Sequence, residues 1–331
     1  MQSPSGTLRF PPYLLGLLLA AASLGNAPES VQPKVANLQD GQLTIRLPES
    51  VDRCVLEGGH QGVKVRWEGG EVQLEGSAAR SLRGIRSSHP LRVTGTLRLL
   101  HELRIDAPRI RIVGRLRGPS FALRSKGWLE VESTGALCAT GGMVELDADI
   151  VSLVGSVRAE RGSVILRARN VLHAGSLEAL SEPEAAGAVE IECDRYIGTA
   201  QASINVDVDQ AGQAGTIRLL ARTRAFTSAR YSASGSTGGS VWISGADLRL
   251  VGAHVDVSGR DAGGLLQIGT LSEEFAPAGK RGWLAKSLFV NDSTTLLAHS
   301  SGRAGEVVLG AKDRTDFLGT VAAVGRDGGR V

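Results

Sequence analysis

A glycine followed by aliphatic residues two and four positions later recurs from the middle of the chain onward. Alternation of aliphatic and polar residues is typical of a short strand with one buried face, and glycine marks the bend beside it. Most intervals between these glycines are 20 to 28 residues, because they stand at Gly142, Gly162, Gly187, Gly215, Gly239, Gly264 and Gly305. A return after about two dozen residues predicts the coils of a solenoid rather than hairpins.

The order of strands within one repeat predicts an all-β fold, a right-handed parallel β-helix. Gly238 to Gly269 is the most regular stretch, with three short alternating bursts before the cycle restarts. Equivalent strands of neighbouring coils would lie about 4.8 Å apart, so about a dozen coils would extend on the order of 55 Å. A β-sandwich is the alternative fold. It favours hairpin turns of the Asn-Gly type, which this chain lacks.

The N-terminus predicts export. Arg9 precedes an apolar run, Tyr13 to Leu24, which is followed by small residues up to Ala27. This run is shorter than the roughly 20 residues that a spanning helix needs, so it predicts a cleaved signal peptide rather than an anchor. The mature protein would then lie at the cell surface, in the outer membrane or outside the cell.

The remaining chain divides by composition. We predict a signal peptide at 1–27, a lead-in that could act as a cap at 28–62, and β-helix repeats at 63–331 with a loop insertion at 271–283. A new repeat begins at Gly328 and stops at Val331. A truncated repeat is the favoured interpretation. The alternative is a second subunit that covers the open end, since uncovered strand edges pair with other chains.

Composition excludes several classes of site. Lysine and arginine total 37 against 34 aspartates and glutamates, so overall charge does not predict nucleic-acid binding. The three cysteines, Cys54, Cys138 and Cys193, are too few for a disulfide framework and are expected to be small buried residues. No pair of cysteines or histidines has zinc-ligand spacing, and no cofactor is expected.

Arginines concentrate between Arg80 and Lys126, where they alternate with aliphatic residues and should point outward. Coils of 19 or 20 residues would place three pairs side by side: Arg92 with Arg111, Arg98 with Arg117, and Arg104 with Arg124. Like charges on neighbouring strands repel, and a guanidinium fork suits carboxylate, sulfate or phosphate. These six arginines are therefore our candidate ligand-binding residues for an acidic polysaccharide or similar polyanion. The alternative is a solvated basic face, with Glu130 and Glu132 pairing with Arg111.

Other side chains give weaker signals. Paired aspartates occur at 147/149, 207/209 and 256/261, and a polysaccharide lyase or hydrolase would need two carboxyls at a defined separation. Outward aspartates are more often solubilising residues, so we expect no catalytic site. Trp242 alternates with the inward Val241 and Ile243, and it would either stack on a ligand or lie partly buried under a loop.

Two segments, Gly238 to Gly269 and Asn291 to Gly329, resemble the repeats of filamentous-haemagglutinin-type exoproteins, which are large bacterial surface adhesins. Phe317 to Gly325 matches that family's phe-x-Gly-x-Ile-x-Ala-x-Gly element. The resemblance implies an exported, elongated protein that contacts a cell-surface glycan or matrix component, with an outer-membrane export partner and no catalytic residues. Self-association through an open final coil is a further expectation. The Asn-Pro-Asn-Gly motif of the family's secretion domain does not occur here.

Overall fold

The computed structural model describes residues 7–10, 36–39, 42–46, 54–59, 62–67, 70–75, 82–180, 186–208, 212–269 and 284–331. These residues form strands, turns and bends. They contain no helix, and therefore none that could cross a membrane. The apolar run of the predicted signal peptide, much of the predicted lead-in and the predicted loop at 271–283 lie outside the described residues.

The first six strands include hairpins, and two of these strands, Gln42–Arg46 and Cys54–Gly59, pair in parallel with the body of the molecule. Two antiparallel units occur, one made by β2 and β3 and the other by β4, β5 and β6. The alternation that begins at Val63 belongs to the second unit, because a hairpin and a coil share the same period of two. The bounds are β1 (Thr7–Phe10), β2 (Ala36–Gln39), β3 (Gln42–Arg46), β4 (Cys54–Gly59), β5 (Gly62–Trp67) and β6 (Gly70–Glu75).

Parallel coils begin at the seventh strand. The longer strands bend once and serve two sides of the coil. The bounds are β7 (Leu82–Arg86), β8 (Leu91–Arg98), β9 (Leu103–Asp106), β10 (Arg109–Ile112), β11 (Arg115–Gly118), β12 (Phe121–Arg124), β13 (Trp128–Val131), β14 (Ala136–Ala139), β15 (Val144–Leu153), β16 (Ser156–Ala159), β17 (Ser163–His173), β18 (Ser176–Ala179), β19 (Ala188–Gly198), β20 (Ser203–Asn205), β21 (Thr216–Thr227), β22 (Arg230–Ser232), β23 (Gly235–Thr237), β24 (Ser240–Leu250), β25 (His254–Asp256), β26 (Gly259–Ala262), β27 (Leu265–Ile268), β28 (Ser287–Val290), β29 (Thr295–Leu297), β30 (Glu306–Leu309), β31 (Arg314–Phe317) and β32 (Thr320–Ala322).

Each coil contributes one strand to each of three faces, and every strand on a face pairs in parallel with its equivalent one coil away. The first face holds β7, β9, β12, the starts of β15, β17, β19, β21 and β24, then β27 and β30. The second face holds β4, the start of β8, β10, β13, the ends of β15, β17, β19, β21 and β24, then β28 and β31. The third face holds the end of β8, then β11, β14, β16, β18, β20, β22, β25, β29 and β32.

This pairing confirms the predicted fold, an all-β parallel β-helix. From β7 to β32 the described residues complete ten coils, fewer than the dozen expected from the sequence. The N-terminal strands account for part of the difference, because the strands before Leu82 include hairpins.

The core is a set of aliphatic ladders along the inside of the coils. The first aliphatic position of the glycine repeat forms one such ladder, and each of its members is at most 1% exposed. In register these are Val144, Val164, Val189, Ile217, Val241, Leu266 and Val307. The predicted inward side of the repeat is therefore confirmed.

Glycine is required at the start of each repeat because neighbouring coils approach closely there. A Cβ at Gly162 would collide with the carbonyl oxygen of Gly142, and one at Gly239 with that of Gly215. The corner between the second and third faces has the same construction, where Gly114 lies against Gly95. Tight stacking of the backbone at two corners explains the high glycine content.

A polar cluster interrupts the apolar interior in the middle coils. His173 Nδ1 lies 2.8 Å from the Tyr196 hydroxyl, and the Tyr231 hydroxyl lies 2.7 Å from Thr227 Oγ1. Burial lowers the pKa of His173 to about 4 and raises that of Tyr231 to about 12. Gly198 leaves space for the Tyr196 ring, since a Cβ there would lie 2.8 Å from Tyr196 Cε1. The cluster is uncharged at neutral pH.

Candidate binding surfaces

Two of the three predicted arginine pairs are adjacent in the structure. Arg92 pairs with Arg111 on the second face, and Arg98 pairs with Arg117 on the third face. Strand β8 passes through both faces and bends at Gly95, whose φ of 70° lies in the left-handed region. The two like-charged pairs therefore lie on either side of one corner of the same coils.

The third predicted pair is wrong. Arg104 lies beside Ala122, whereas Arg124 lies between Asp106 and Asp147. The number of residues per coil changes from face to face because the turns differ in length, and on this face the step from 104 to 122 is 18 residues. A coil two residues shorter than assumed keeps the side chain outward and changes its neighbour.

Alternating charges cover part of the first face. Six consecutive outward positions of one column carry opposite signs in turn: Arg86, Asp106, Arg124, Asp147, Arg167 and Glu192. We call this column the ionic ladder. Arg86 lies 3.7 Å from Asp106, and Arg167 lies 2.7 Å from Glu145 in the adjacent column. Opposite charges on neighbouring strands attract, so these arginines have a structural role.

Four of the six predicted binding arginines form ion pairs. Their contacts are Arg104 with Glu102 at 2.8 Å, Arg111 with Glu130 at 3.3 Å and with Glu132, Arg117 with Glu160 at 3.4 Å, and Arg124 with Glu145 at 3.8 Å. Within the described part of the chain, Arg92 and Arg98 form no ion pair, and neither does their neighbour Arg115. All three are exposed.

These observations narrow the predicted site to one corner of the early coils. We define the basic corner as Arg92, Arg98, Arg111, Arg115 and Arg117. It combines two like-charged pairs in register with three guanidinium groups that have no carboxylate partner among the described residues. Arg104 and Arg124 lie on the first face and do not belong to it.

The aspartates considered for catalysis make local contacts. The Asp207 carboxylate accepts hydrogen bonds from Ser232 Oγ at 2.7 Å and from the Ser234 amide at 2.6 Å. Asp256 accepts one from the Ser258 amide, and Asp149 lies 3.5 Å from Arg169. Asp147 belongs to the ionic ladder.

Asp261 is exposed and contacts Arg260 and Ser236. Arg260 and Ser236 both donate hydrogen bonds to its carboxylate and lower its pKa to about 2. Asp209 lies outside the described residues. Across the described residues, no group of three or more metal-ligating side chains gathers at one point.

Trp242 points outward from the first face but is only 6% exposed. The Arg218 guanidinium lies over its ring, 4.9 Å from the ring centroid. The tryptophan is therefore packed and does not offer an open stacking surface.

Cys193 is buried, as expected, whereas Cys138 points outward from the third face. Its sulfur donates a hydrogen bond to the Glu160 carboxylate at 3.5 Å. Partial burial, together with the nearby Glu160 charge, raises the pKa of the Cys138 thiol. The side chain of Cys54 lies outside the described residues.

The second face carries an exposed apolar surface that the sequence predictions missed. Five consecutive coils each place one large apolar side chain outward on it, at 36% to 49% exposure. They are Trp128, Ile150, Leu172, Ile197 and Phe226, which we call the apolar band. The outward position of Trp128 could have been predicted from the sequence, because Trp128 precedes the inward Leu129 and lies one coil after Arg109.

Comparisons with known proteins give one structural similarity. No protein-family model and no curated protein matches the chain. Among solved structures, the chain is similar to the crystal structure of the HMW1 secretion domain from Haemophilus influenzae. The TM-score is 0.41 and the identity 14%, over 89% of this chain and 90% of that chain. A similarity of this degree supports no inference about function.

Proposed function

We propose that this chain is an exported bacterial surface protein with a structural and adhesive role, and that its basic corner binds acidic glycans or similar polyanions without catalysis. The observation that carries the proposal is the register at the corner. Arg92 lies beside Arg111 and Arg98 beside Arg117, and Arg92, Arg98 and Arg115 are exposed without a carboxylate partner in the described residues.

Neighbouring arginines at the basic corner repel each other. Two unit charges about 5 Å apart in water repel by roughly 0.8 kcal/mol. Glu130 offsets this at Arg111, and Glu160 offsets it at Arg117. At Arg92 and Arg98 an external anion would relieve the repulsion and would meet donors in the fork geometry that suits sulfate and carboxylate. A polymer with repeated charges could engage both sides of the corner.

The β-helix supports this function as a scaffold. In the early coils the interior consists of aliphatic ladders, so the strands that carry the corner are fixed in register by the core beneath them. Preorganised side chains lose less conformational entropy on binding than side chains on a loop. The export part of the proposal draws on the N-terminal run Tyr13 to Leu24 and on the resemblance to surface adhesins.

Heparin affinity chromatography with matched variants tests the site. The corner variant is Arg92→Ser/Arg98→Ser/Arg115→Ser. The control is Arg104→Ser/Arg124→Ser/Arg167→Ser, which removes the same charge from arginines that are ion-paired on the first face. We expect the corner variant to elute at markedly lower salt, and the control to elute close to the unsubstituted protein.

Equal shifts for the two variants would show that heparin responds to net charge alone, and the basic corner would then not be a site. Retention of the corner variant at the unsubstituted salt concentration would contradict the proposal outright. Circular dichroism verifies that each variant keeps its β-structure.

A further inference from the structure

The apolar band has a continuous geometry. Trp128 and Ile150 are direct neighbours in one outward column, and Leu172, Ile197 and Phe226 are direct neighbours in the next column. Ile150 connects the two groups diagonally, because it precedes Ser152 by two residues and Ser152 pairs with Leu172. Neighbouring strands are about 4.8 Å apart, so the band extends about 20 Å across five coils.

The band is confined to one face. Among the residues whose side chains the structure describes, every large apolar side chain that is exposed on a strand belongs to it. The other exposed large apolar residues lie at turns or near the C-terminus: Leu100, Met143, Val154, Leu284, Leu318, Val324 and Val331. Contiguous apolar surface on a flat sheet is typical of an interaction site, whereas scattered exposed residues are ordinary.

Positive charges flank the band. From β8 to β31, the outward positions of the second face hold seven arginines against three carboxylates. The arginines are Arg92, Arg109, Arg111, Arg195, Arg224, Arg249 and Arg314, and the carboxylates are Glu130, Asp247 and Asp316. The three carboxylates pair with Arg111, Arg224, Arg249 and Arg314. Among the described residues Arg92 and Arg195 have no ion-pair partner, and Arg109 contacts the Trp128 ring at 5.7 Å from its centroid.

We infer that the second face docks on an anionic lipid surface, with the apolar band in the acyl boundary and the flanking arginines at the head groups. Apolar burial and charge attraction both contribute to such docking. The apolar side chains and the acyl chains cover each other from water, and the arginines attract the negative head groups. Trp128, with the Arg109 guanidinium over its ring, is the kind of aromatic residue that favours the interface between water and lipid.

Charge complementarity favours lipid over a second copy of the chain. Two copies packed through this face would bring two net positive surfaces together, and like charges across an interface are costly. An anionic bilayer supplies the opposite charge together with an apolar layer. The apolar band itself begins one coil beyond Arg111 and makes no use of the third face, although the flanking arginines Arg92 and Arg111 also belong to the basic corner.

Vesicle flotation tests the inference. The full chain is mixed with vesicles of phosphatidylcholine alone or with about one-third phosphatidylglycerol, and the bound fraction is measured. We expect binding to the anionic vesicles only. The band variant Leu172→Ser/Ile197→Ser/Phe226→Ser should lose about tenfold or more in affinity. The control, Leu100→Ser/Met143→Ser/Leu318→Ser, removes apolar residues of similar or greater exposure from turns and should change affinity less than about twofold.

Two further measurements keep the test independent of folding. Asn170→Leu adds an apolar side chain beside Ile150 and should strengthen vesicle binding. Trp128 emission should shift to shorter wavelength on binding, and Trp128→Phe should abolish most of that shift. Heparin retention should be the same for the band variant as for the unsubstituted chain.

Three results would overturn the inference. The first is no flotation above a vesicle-free sample, and the second is an equal loss for the band and control variants. The third is a dimer in analytical ultracentrifugation that the band substitutions dissociate while vesicle binding is absent. That outcome would assign the band to a second copy.

Discussion

The first and second faces of the β-helix have the same interior and opposite exteriors. Inward, both carry aliphatic ladders, such as Leu146 with Leu166 on the first face and Val131 with Leu153 on the second. Outward, the first face has the ionic ladder, in which every charge has an opposite neighbour, whereas the second has the apolar band and surplus arginines. The inward side chains stabilise the coil on both faces, whereas the outward side chains can differ from one face to the other.

The outward side chains of a strand can pair with one another, as on the first face, or remain available to a ligand, as on the second face. A charge that is balanced within the protein has little left to offer a ligand, so the ionic ladder is a self-contained surface. An exposed leucine or isoleucine on a strand contributes nothing to the core and gains free energy only when something covers it. The second face therefore has the chemistry of a binding surface, and the first face that of a solvated wall.

The largest expected effects come from the interior and should not distinguish the faces. Leu166→Ala on the first face and Leu153→Ala on the second should each lower the free energy of unfolding by about 2–5 kcal/mol, because each removes a buried side chain and leaves a cavity. Chemical denaturation measures both. A loss below about 1 kcal/mol at either position would contradict equal burial on the two faces.

Acid should weaken the coil where the second face turns a histidine inward. The pKa of His173 is lowered from 6.5 to about 4 in the folded protein, so the unfolded chain binds its proton first. Its stabilising contribution is complete above pH 6.5 and is lost as pH falls toward 4, by about 3 kcal/mol. His173→Gln should flatten the dependence of unfolding free energy on pH in that window. An unchanged slope would show that another group titrates there.

Outward substitutions should separate the faces at about 1 kcal/mol. Arg124→Glu places a negative charge between Asp106 and Asp147, and we expect it to lower the free energy of unfolding by about 1 kcal/mol at low salt. Ile197→Ser on the second face should change it by less than about 0.5 kcal/mol, since the side chain packs against no core. Similar losses for both variants would remove the distinction between a self-contained and an available surface.

The smallest effect is expected at the basic corner. Arg98→Ser removes one member of the Arg98 and Arg117 pair and should raise stability by a few tenths of a kcal/mol at low salt. Arg104→Ser, which breaks the contact with Glu102, should not raise it. Thermal unfolding in low and high salt measures both variants. Stabilisation by Arg104→Ser of the same size would attribute the effect to net charge.

Much of the fold was predictable because two local rules apply to every coil. Period-two alternation identified inward positions such as Val144 and Leu146, and glycine identified the corner where backbones meet. The neighbours of Arg92 and Arg98 were also correct. The neighbour of Arg104 was not, because turn length sets the register between coils and the strands themselves do not encode it.

The apolar band and the interior polar cluster were unpredictable for a related reason. Hydrophobicity suggests that Leu172 and Ile197 point inward, yet their neighbours His173, Tyr196 and Val171 do so instead. The bend within β17 and β19 sets the phase of the second half of each strand, and the His173 and Tyr196 hydrogen bond satisfies the polar atoms that this phase buries. Period-two alternation of side chains shows that a strand has two sides, but in these strands it does not indicate which side faces the core.

Both proposed binding surfaces depend on the register between neighbouring strands of the second face, and excimer fluorescence tests this register most directly. In a cysteine-free background, pyrene-maleimide is attached to Leu172→Cys/Ile197→Cys, which are direct neighbours, or to Leu172→Cys/Phe289→Cys, which are four coils or about 19 Å apart in the same column. We predict strong excimer emission from the first pair and weak emission from the second. Equal emission from the two pairs, or none from the neighbours, would contradict the stacking on which both proposed binding surfaces depend.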